Sequence, residues 1–414
     1  MIRHNRKIVL FSLILAGEAI FFLPFVLARV FRPTVLLVFN INNTELGFWF
    51  SIYGIVAMVS YFIGGPLADR FSLRNLMTIA LGLTSIGGFI MAFIPGNSTM
   101  AVIYGFWGMT TILLFWSALI RSTREWGKEK FQGRAFGWLE GGRGAIAAII
   151  ATISYFLFAK LMPDQSNEFL QTERTAALKM IIVITSCVTL LSGLLIFIFV
   201  PKHSTTNHND IIIIDDIKKM IVNPRVLRLS VIVLCGYVGY KITDIFSLYA
   251  HDVLGLNEVY SAGVGTSALW IRAIVATFAG YYADKSSAGK IISWSFGFGL
   301  IGALLITFNL INNLIYLALI NLLFIMVGVY GVRALYFALI SENQLPLSAT
   351  GTIVGIISVV GFTPDIFMGP WIGYLLDNNP GLKGHQLVFL LLAIFSFVGL
   401  ITSLSLLLNR KYNP

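Results

Sequence analysis

The chain has 414 residues, of which 57% are hydrophobic and only 12% charged, and its mean hydropathy is +0.84. A soluble globular domain carries about a quarter charged residues, so this composition excludes a soluble enzyme and points to a polytopic membrane protein. The formal charge of +10 does not argue for nucleic acid. The bases sit in short loops beside apolar runs, where they orient a membrane protein and meet anionic lipid head groups.

A spanning helix needs about 20 mostly apolar residues. Runs of that kind cover 8–31, 46–68, 74–95, 98–120, 133–159, 175–200, 226–250, 258–283, 289–309, 313–340, 351–376 and 385–408, numbered here as spans 1 to 12. They are continuous and rich in Leu, Ile, Phe and Gly, without the alternation of a β-barrel strand. Met1 to Lys7, with Arg3, Arg6 and Lys7, opens like a signal peptide. The run behind it is too long and no small-residue cleavage site follows, so an uncleaved first span is expected.

The longest polar interruption, Pro201 to Pro224, falls between spans 6 and 7, near the midpoint. The expected fold is all-α: twelve transmembrane helices in two pseudo-symmetric six-helix bundles, 1–200 and 225–414, around a linker at 201–224. Lys and Arg concentrate at both ends, in the linker and after spans 2, 4 and 8. The opposite loops hold only Arg32, Lys160, Arg174, Lys179 and Lys383. Both termini and the linker are therefore expected in the cytoplasm, of a monomer in a bacterial inner membrane.

One polar turn organises the pattern. Gly64-Gly65-Pro66-Leu67-Ala68-Asp69-Arg70-Phe71-Ser72-Leu73-Arg74 separates spans 2 and 3, and a weaker copy, Gly280-Tyr281-Tyr282-Ala283-Asp284-Lys285, separates spans 8 and 9. Glycine there lets two helices approach closely, and the aspartate is placed to cap the next helix or to pair with a base. Ala118-Leu119-Ile120 recurs as Ala338-Leu339-Ile340 at the ends of spans 4 and 10. Two parallel six-span repeats are the architecture of a rocking transporter, with a solute site near the bilayer midplane.

The turn after span 2, with Gly65, Asp69, Arg70 and Arg74, resembles the loop signature of the major facilitator superfamily, with Ser72 where that family usually has glycine. The resemblance extends over the chain through span number, linker and repeat. It implies a secondary active transporter working by alternating access, with Gly65, Asp69, Arg70, Arg74, Gly280 and Asp284 in gating. More weakly, Arg29-Val30-Phe31-Arg32-Pro33-Thr34 is similar to the end of span 1 in organophosphate antiporters and related sugar-acid importers. That branch implies a polar site residue near Arg143. Its arginine in span 7 would fall near Gly239, where Lys241 is the closest base.

Charges inside the spans carry the remaining information. One at mid-bilayer costs about 2.5–3.5 kcal/mol on insertion scales, so each faces a cavity or a partner. The bases are Arg29, Arg143, Lys241, Arg272 and Arg333, and the acids are Glu18, Glu140, Asp244 and Asp365. Glu18 and Arg29 are expected on one face of span 1 at 100° per residue. Glu140 with Arg143, and Lys241 with Asp244, are spaced i, i+3 for local pairing.

The five bases are candidates for holding an anionic organic solute, because guanidinium groups favour phosphate, sulfonate or carboxylate. The four acids are candidates for proton coupling, their proton affinity set by burial against a nearby base. The plainer reading, structural ion pairs between helices, competes at every one of these positions. Trp49, Trp107, Trp138, Trp270 and Trp371 are candidates to line the path. His4, His203, His208, His251 and His385 are scattered, and Cys187 and Cys235 lie in apolar runs. No enzyme, cofactor or metal site is therefore expected, and the partners are a small solute and the lipid bilayer, with no nucleic acid.

Three functions compete: an importer or exchanger of a sugar acid, organophosphate or sulfonate, with proton symport as the preferred coupling; a drug/proton antiporter of the same fold; and a transport-like sensor. The exporter usually carries a Gly-Pro pair in span 5, and Glu140-Gly141-Gly142-Arg143 has no proline. A sensor normally needs an added domain or partner surface, for which 201–224 leaves little room.

Overall fold

The computed structural model of the chain describes residues 6–127, 132–162, 171–202, 222–311, 314–342 and 350–412. Among the described residues, twelve helices are long and apolar enough to cross a membrane: Arg6–Val30, Asn43–Ala68, Leu73–Met91, Asn97–Gly127, Gly137–Leu161, Gln171–Phe199, Pro224–Asp252, Glu258–Ala283, Ala288–Thr307, Ile315–Leu335, Gly355–Asn378 and Leu382–Leu408. They are spans 1 to 12, with ends close to those expected. Among the described residues there is no strand. In hydrocarbon each backbone N–H and C=O must be satisfied internally, and continuous apolar runs do that only as helices. Most of the expected linker lies outside the described residues.

The chain divides into two compact units. One comprises Met1–His208 with Leu256–Trp270, the other Asn209–Gly255 with Ile271–Pro414. Span 8 is a single helix, Glu258–Lys285, whose first half belongs to the first unit and whose second half belongs to the second.

Within the first unit, one apolar cluster gathers Phe22, Trp49, Tyr104, Trp107, Ala147 and Phe158. A second gathers Leu13, Ile20, Met77, Phe115, Leu119 and Leu139. Trp49 and Trp107 are thus core residues, 1% and 0% exposed, and not path-lining as the sequence suggested. Their indole N–H groups donate to Asn97 Oδ1 at 2.6 Å and to the Thr84 carbonyl at 3.0 Å. Trp138, Trp270 and Trp371 are exposed.

Several spans depart from regular α-helix, and the irregular turns fall near the charged residues. Span 1 widens to π-type turns at Phe22–Val26, closed by the Leu27 N–H donating to the Phe22 carbonyl. Pro24 explains the position, since it has no N–H to give and its ring crowds the preceding turn. A π-type turn takes up one extra residue and rotates the remainder of the helix by about 100°. The shared face expected for Glu18 and Arg29 is therefore not kept. Span 7 passes through a tight 3-10 turn at Thr243–Ile245, and span 11 is broken between Gly361 and Pro364.

Small residues set the helix spacing. A Cβ built on Gly328 of span 10 would lie 2.6 Å from the Gly299 nitrogen and from the Ser295 carbonyl oxygen of span 9. Gly64 sits 3.1–3.2 Å by the same measure from the Leu113 and Ile112 carbonyls of span 4. Gly65 and Gly280, the glycines expected to allow close approach, have nothing within 4 Å. Gly328→Ala should therefore lower the thermal unfolding midpoint of purified protein in detergent, an overpacking cost of about 1–3 kcal/mol. Gly65→Ala should leave that midpoint unchanged.

Candidate functional site

In the first unit, Arg143 of span 5 is held from three sides. Its Nη1 lies 2.8 Å from Glu140 Oε1, one turn away, and its Nε lies 3.4 Å from Glu18 Oε2 on span 1. The same Nε donates to the Gly17 carbonyl at 2.9 Å. The guanidinium carbon stands 5.5 Å from the ring centres of both Phe21 and Trp116, close enough for cation–π attraction. This approach needs small residues: added Cβ atoms would meet Arg143 Cδ at 3.2 Å from Gly17, and Ile14 at 2.7 Å from Gly142. Gly137 and Gly141 have open space instead. Glu18 is 2% exposed at the side chain and Glu140 55%, so the arginine joins a buried acid to an accessible one.

The second unit repeats the chemistry with the roles redistributed. Lys241 Nζ lies 3.4 Å from Asp244 Oδ2 in the 3-10 turn of span 7 and 3.3 Å from Asp365 Oδ1 on span 11. Asp365 falls in the first turn of the half-helix Pro364–Asn378, where the amide dipoles favour a negative charge. Its other oxygen accepts a 2.9 Å hydrogen bond from the Tyr237 hydroxyl. Arg333 of span 10 lies with its guanidinium carbon 3.7 Å from the Tyr240 ring centre and 5.9 Å from that of Tyr237. Phe362, in the break of span 11, packs edge-on against Tyr237.

Each unit thus holds one base between two carboxylates, and each group joins the first and fifth spans of its six. The i, i+3 pairs form as their spacing implied. The third member was not legible, because it comes from another helix. Arg143 and Lys241 are consequently not the unencumbered cations that an anion clamp supposes. Arg29 and Arg272 are buried, 1% and 6% exposed, and both are engaged by their surroundings.

The polar turns differ from expectation in detail. Asp69 and Asp284 belong to the last turns of spans 2 and 8, and their side chains lie outside the described residues. The N-cap positions of the following helices are Ser72 and Ser287. Neither aspartate therefore occupies the capping position. At the second turn Ser287 Oγ accepts from the Lys290 N–H, and Glu342 accepts from the Gly289 N–H. At the first turn Arg121 Nη1 donates to the Ala68 carbonyl at 3.1 Å, satisfying one of the orphan acceptors at a helix end. Arg70 is exposed, and Arg74 lies 4.8 Å over the Phe197 ring.

Two further groups escaped the sequence reading. Tyr237 and Tyr240 had no signal beyond their own i, i+3 spacing and the place of Tyr237 one turn before Lys241. Glu258, at the start of span 8, is 4% exposed. It accepts from Thr34 Oγ1 at 2.6 Å and from Arg174 Nε at 2.5 Å. Arg32 and Arg174, taken as loop bases, both lie in helices, and Arg32 is buried with its Nε 3.0 Å from Asn43 Oδ1.

Residues 9–367 match the family model of the Major Facilitator Superfamily, and the chain belongs to that superfamily of membrane transporters. Among its relatives is the inner membrane protein YqcE of Escherichia coli (strain K12), 28% identical over 407 residues, or 94% of this chain and 91% of the relative. The inner membrane protein YihN of the same strain is 24% identical over 413 residues, 97% and 96% of the two chains. Among solved structures, a mutant of the nucleoside transporter NupG superposes with a TM-score of 0.75 at 12% identity, covering 97% of this chain and all (100%) of that one. A D-xylose-proton symporter superposes equally well, 0.75 at 16% identity, covering 97% and 96%. At these identities the structural likeness speaks for the fold alone.

The first group offers a direct energetic test. Arg143→Leu leaves Glu18 buried without its base, a change that costs about 3–5 kcal/mol for a buried pair. The yield of folded protein should fall, and a second change, Glu18→Leu, should recover much of it. Equal, additive losses in the double variant would mean that the two side chains do not depend on each other.

Proposed function

We propose that this chain is a proton-coupled transporter of a small organic anion, working by alternating access of two six-span halves, 1–200 and 225–414, with both termini on the cytoplasmic side of a bacterial inner membrane. The observation that carries the reading is the repeated acid–base–acid group. A proton taken up by either carboxylate of such a group weakens its hold on the shared base, and so changes how two helices are tied together. Glu18 and Glu140 around Arg143, and Asp244 and Asp365 around Lys241, are the candidate proton sites. Both groups belong to spans 1, 5, 7 and 11, which the family resemblance implies among those lining the path. Asp365 and Asp244 also sit where spans 11 and 7 are irregular, and transporter sites near the midplane are commonly built at interrupted helices.

The solute-facing role falls to Arg333, with Arg29 and Arg272 as further cationic groups. Arg333 lies against Tyr240, and its planar guanidinium suits a carboxylate, phosphate or sulfonate better than a point charge would. Tyr237 ties that region to Asp365, so solute and proton act on neighbouring members of one network. Gly65, Asp69, Arg70, Arg74, Gly280 and Asp284 serve gating at the polar turns. A drug/proton antiporter is the second reading, favoured by the same carboxylates, which attract a cationic solute as readily as a proton.

Purified protein in proteoliposomes, supplied with labelled sugar acids, organophosphates and sulfonates, separates these readings. An inward proton gradient should drive accumulation of one of the anions, and a protonophore should abolish it. Accumulation of cationic dyes in place of any anion would establish the antiporter. Asp365→Asn should reduce gradient-driven accumulation at least ten-fold and leave solute exchange between equal concentrations largely intact. Arg333→Gln should raise the KM for the anion by ten-fold or more, the loss of a charged hydrogen bond of about 1.5–3 kcal/mol.

A further inference from the structure

The first half of span 8 is fastened into the first unit at four levels. At its start, Glu258 is buried and takes hydrogen bonds from Thr34, in the helix Arg32–Phe39 that follows span 1, and from Arg174 in the first turns of span 6. One turn on, Ala262 is 0% exposed within the first unit's apolar cluster. At Gly265 the backbones nearly touch, since a Cβ there would lie 2.9 Å from Val30 Cα and 3.2 Å from the Arg29 carbonyl oxygen. At the last level Leu269 is buried in the same cluster, and Trp270 Nε1 donates to Thr152 Oγ1 at 3.0 Å.

By sequence, span 8 is nonetheless the second helix of the second repeat, marked by the polar turn that follows it. In a carrier that works by rocking one repeat against the other, a helix of the second repeat cannot remain fastened in the first throughout the cycle. The geometry points to Glu258 as the latch of that attachment: its two hydrogen bonds hold in one state of the transport cycle and break in the other. Glu258 is the natural control point, because it is the charged contact of the four. The rest are apolar packing, a backbone approach and a neutral hydrogen bond. Its partners Thr34 and Arg174 belong to neither acid–base–acid group, so it acts through the position of span 8 and is a positioning residue. With the termini inside, the latch lies at the outer face.

The test reads the position of span 8 without a substrate. In a background with Cys187→Ser, a cysteine placed at Ala262 should react slowly with a water-soluble maleimide in detergent. Glu258→Gln, and independently Arg174→Gln, should each speed that reaction at least ten-fold, and Thr34→Val by a smaller factor. A control cysteine at Ala80, buried in span 3 away from span 8, should stay slow in all of them. Unchanged labelling at position 262 in both Gln variants overturns the proposal. So does an equal rise at position 80, which would show general loosening in place of a released latch. Neither result bears on the nature of the solute.

Discussion

A charge inside hydrocarbon must be answered by another charge or by a hydrogen bond, and much of this structure derives from how its charges are answered. Insertion of one bare charge at mid-bilayer costs about 2.5–3.5 kcal/mol, too much to tolerate repeatedly in a marginally stable fold. Arg143 and Lys241 each draw two carboxylates, and Arg143 also draws a backbone carbonyl. To bring those groups within about 3.4 Å, the helices carrying them must be close. Glycines 17 and 142 provide that closeness between spans 1 and 5.

The irregular turns belong to the same constraint. A straight α-helix fixes which residues share a face, and a group displaced from the required face needs a local change of pitch. Span 7 changes pitch at Thr243–Ile245, the turn that carries Asp244, and span 11 breaks just ahead of Asp365. The dipole of the new helix start then favours the carboxylate. Polar side chains in the wide turns of span 4 are satisfied in pairs, Thr111 with Tyr53 and Thr110 with Thr84. The wide turns of span 4 thus keep the hydroxyls of Thr110 and Thr111 hydrogen-bonded.

Span 8 shows how a repeat in sequence need not coincide with a unit in space. Its second half packs as the repeat predicts, and its first half is held by Thr34, Arg174 and the end of span 1. The polar contacts at the Glu258 end are specific and few, so they are easily exchanged. The apolar contacts further along are not directional and tolerate sliding.

The sequence alone determined the class, the twelve spans and the candidate charges. Bilayer thickness imposes a length that any apolar run must meet, and helical spacing makes Glu140 with Arg143 and Lys241 with Asp244 a local matter. Tertiary structure decided the rest. That Glu18 and Asp365 complete the groups depends on which helix packs beside which. That Glu18 and Arg29 part company depends on a wide turn at Pro24. Gly64 takes the role expected of Gly65 because of one step of helical rotation. Glu258, Arg174 and Thr34 are far apart along the chain, and no periodicity connects them; only packing brings an acid, a base and a hydroxyl to one buried point.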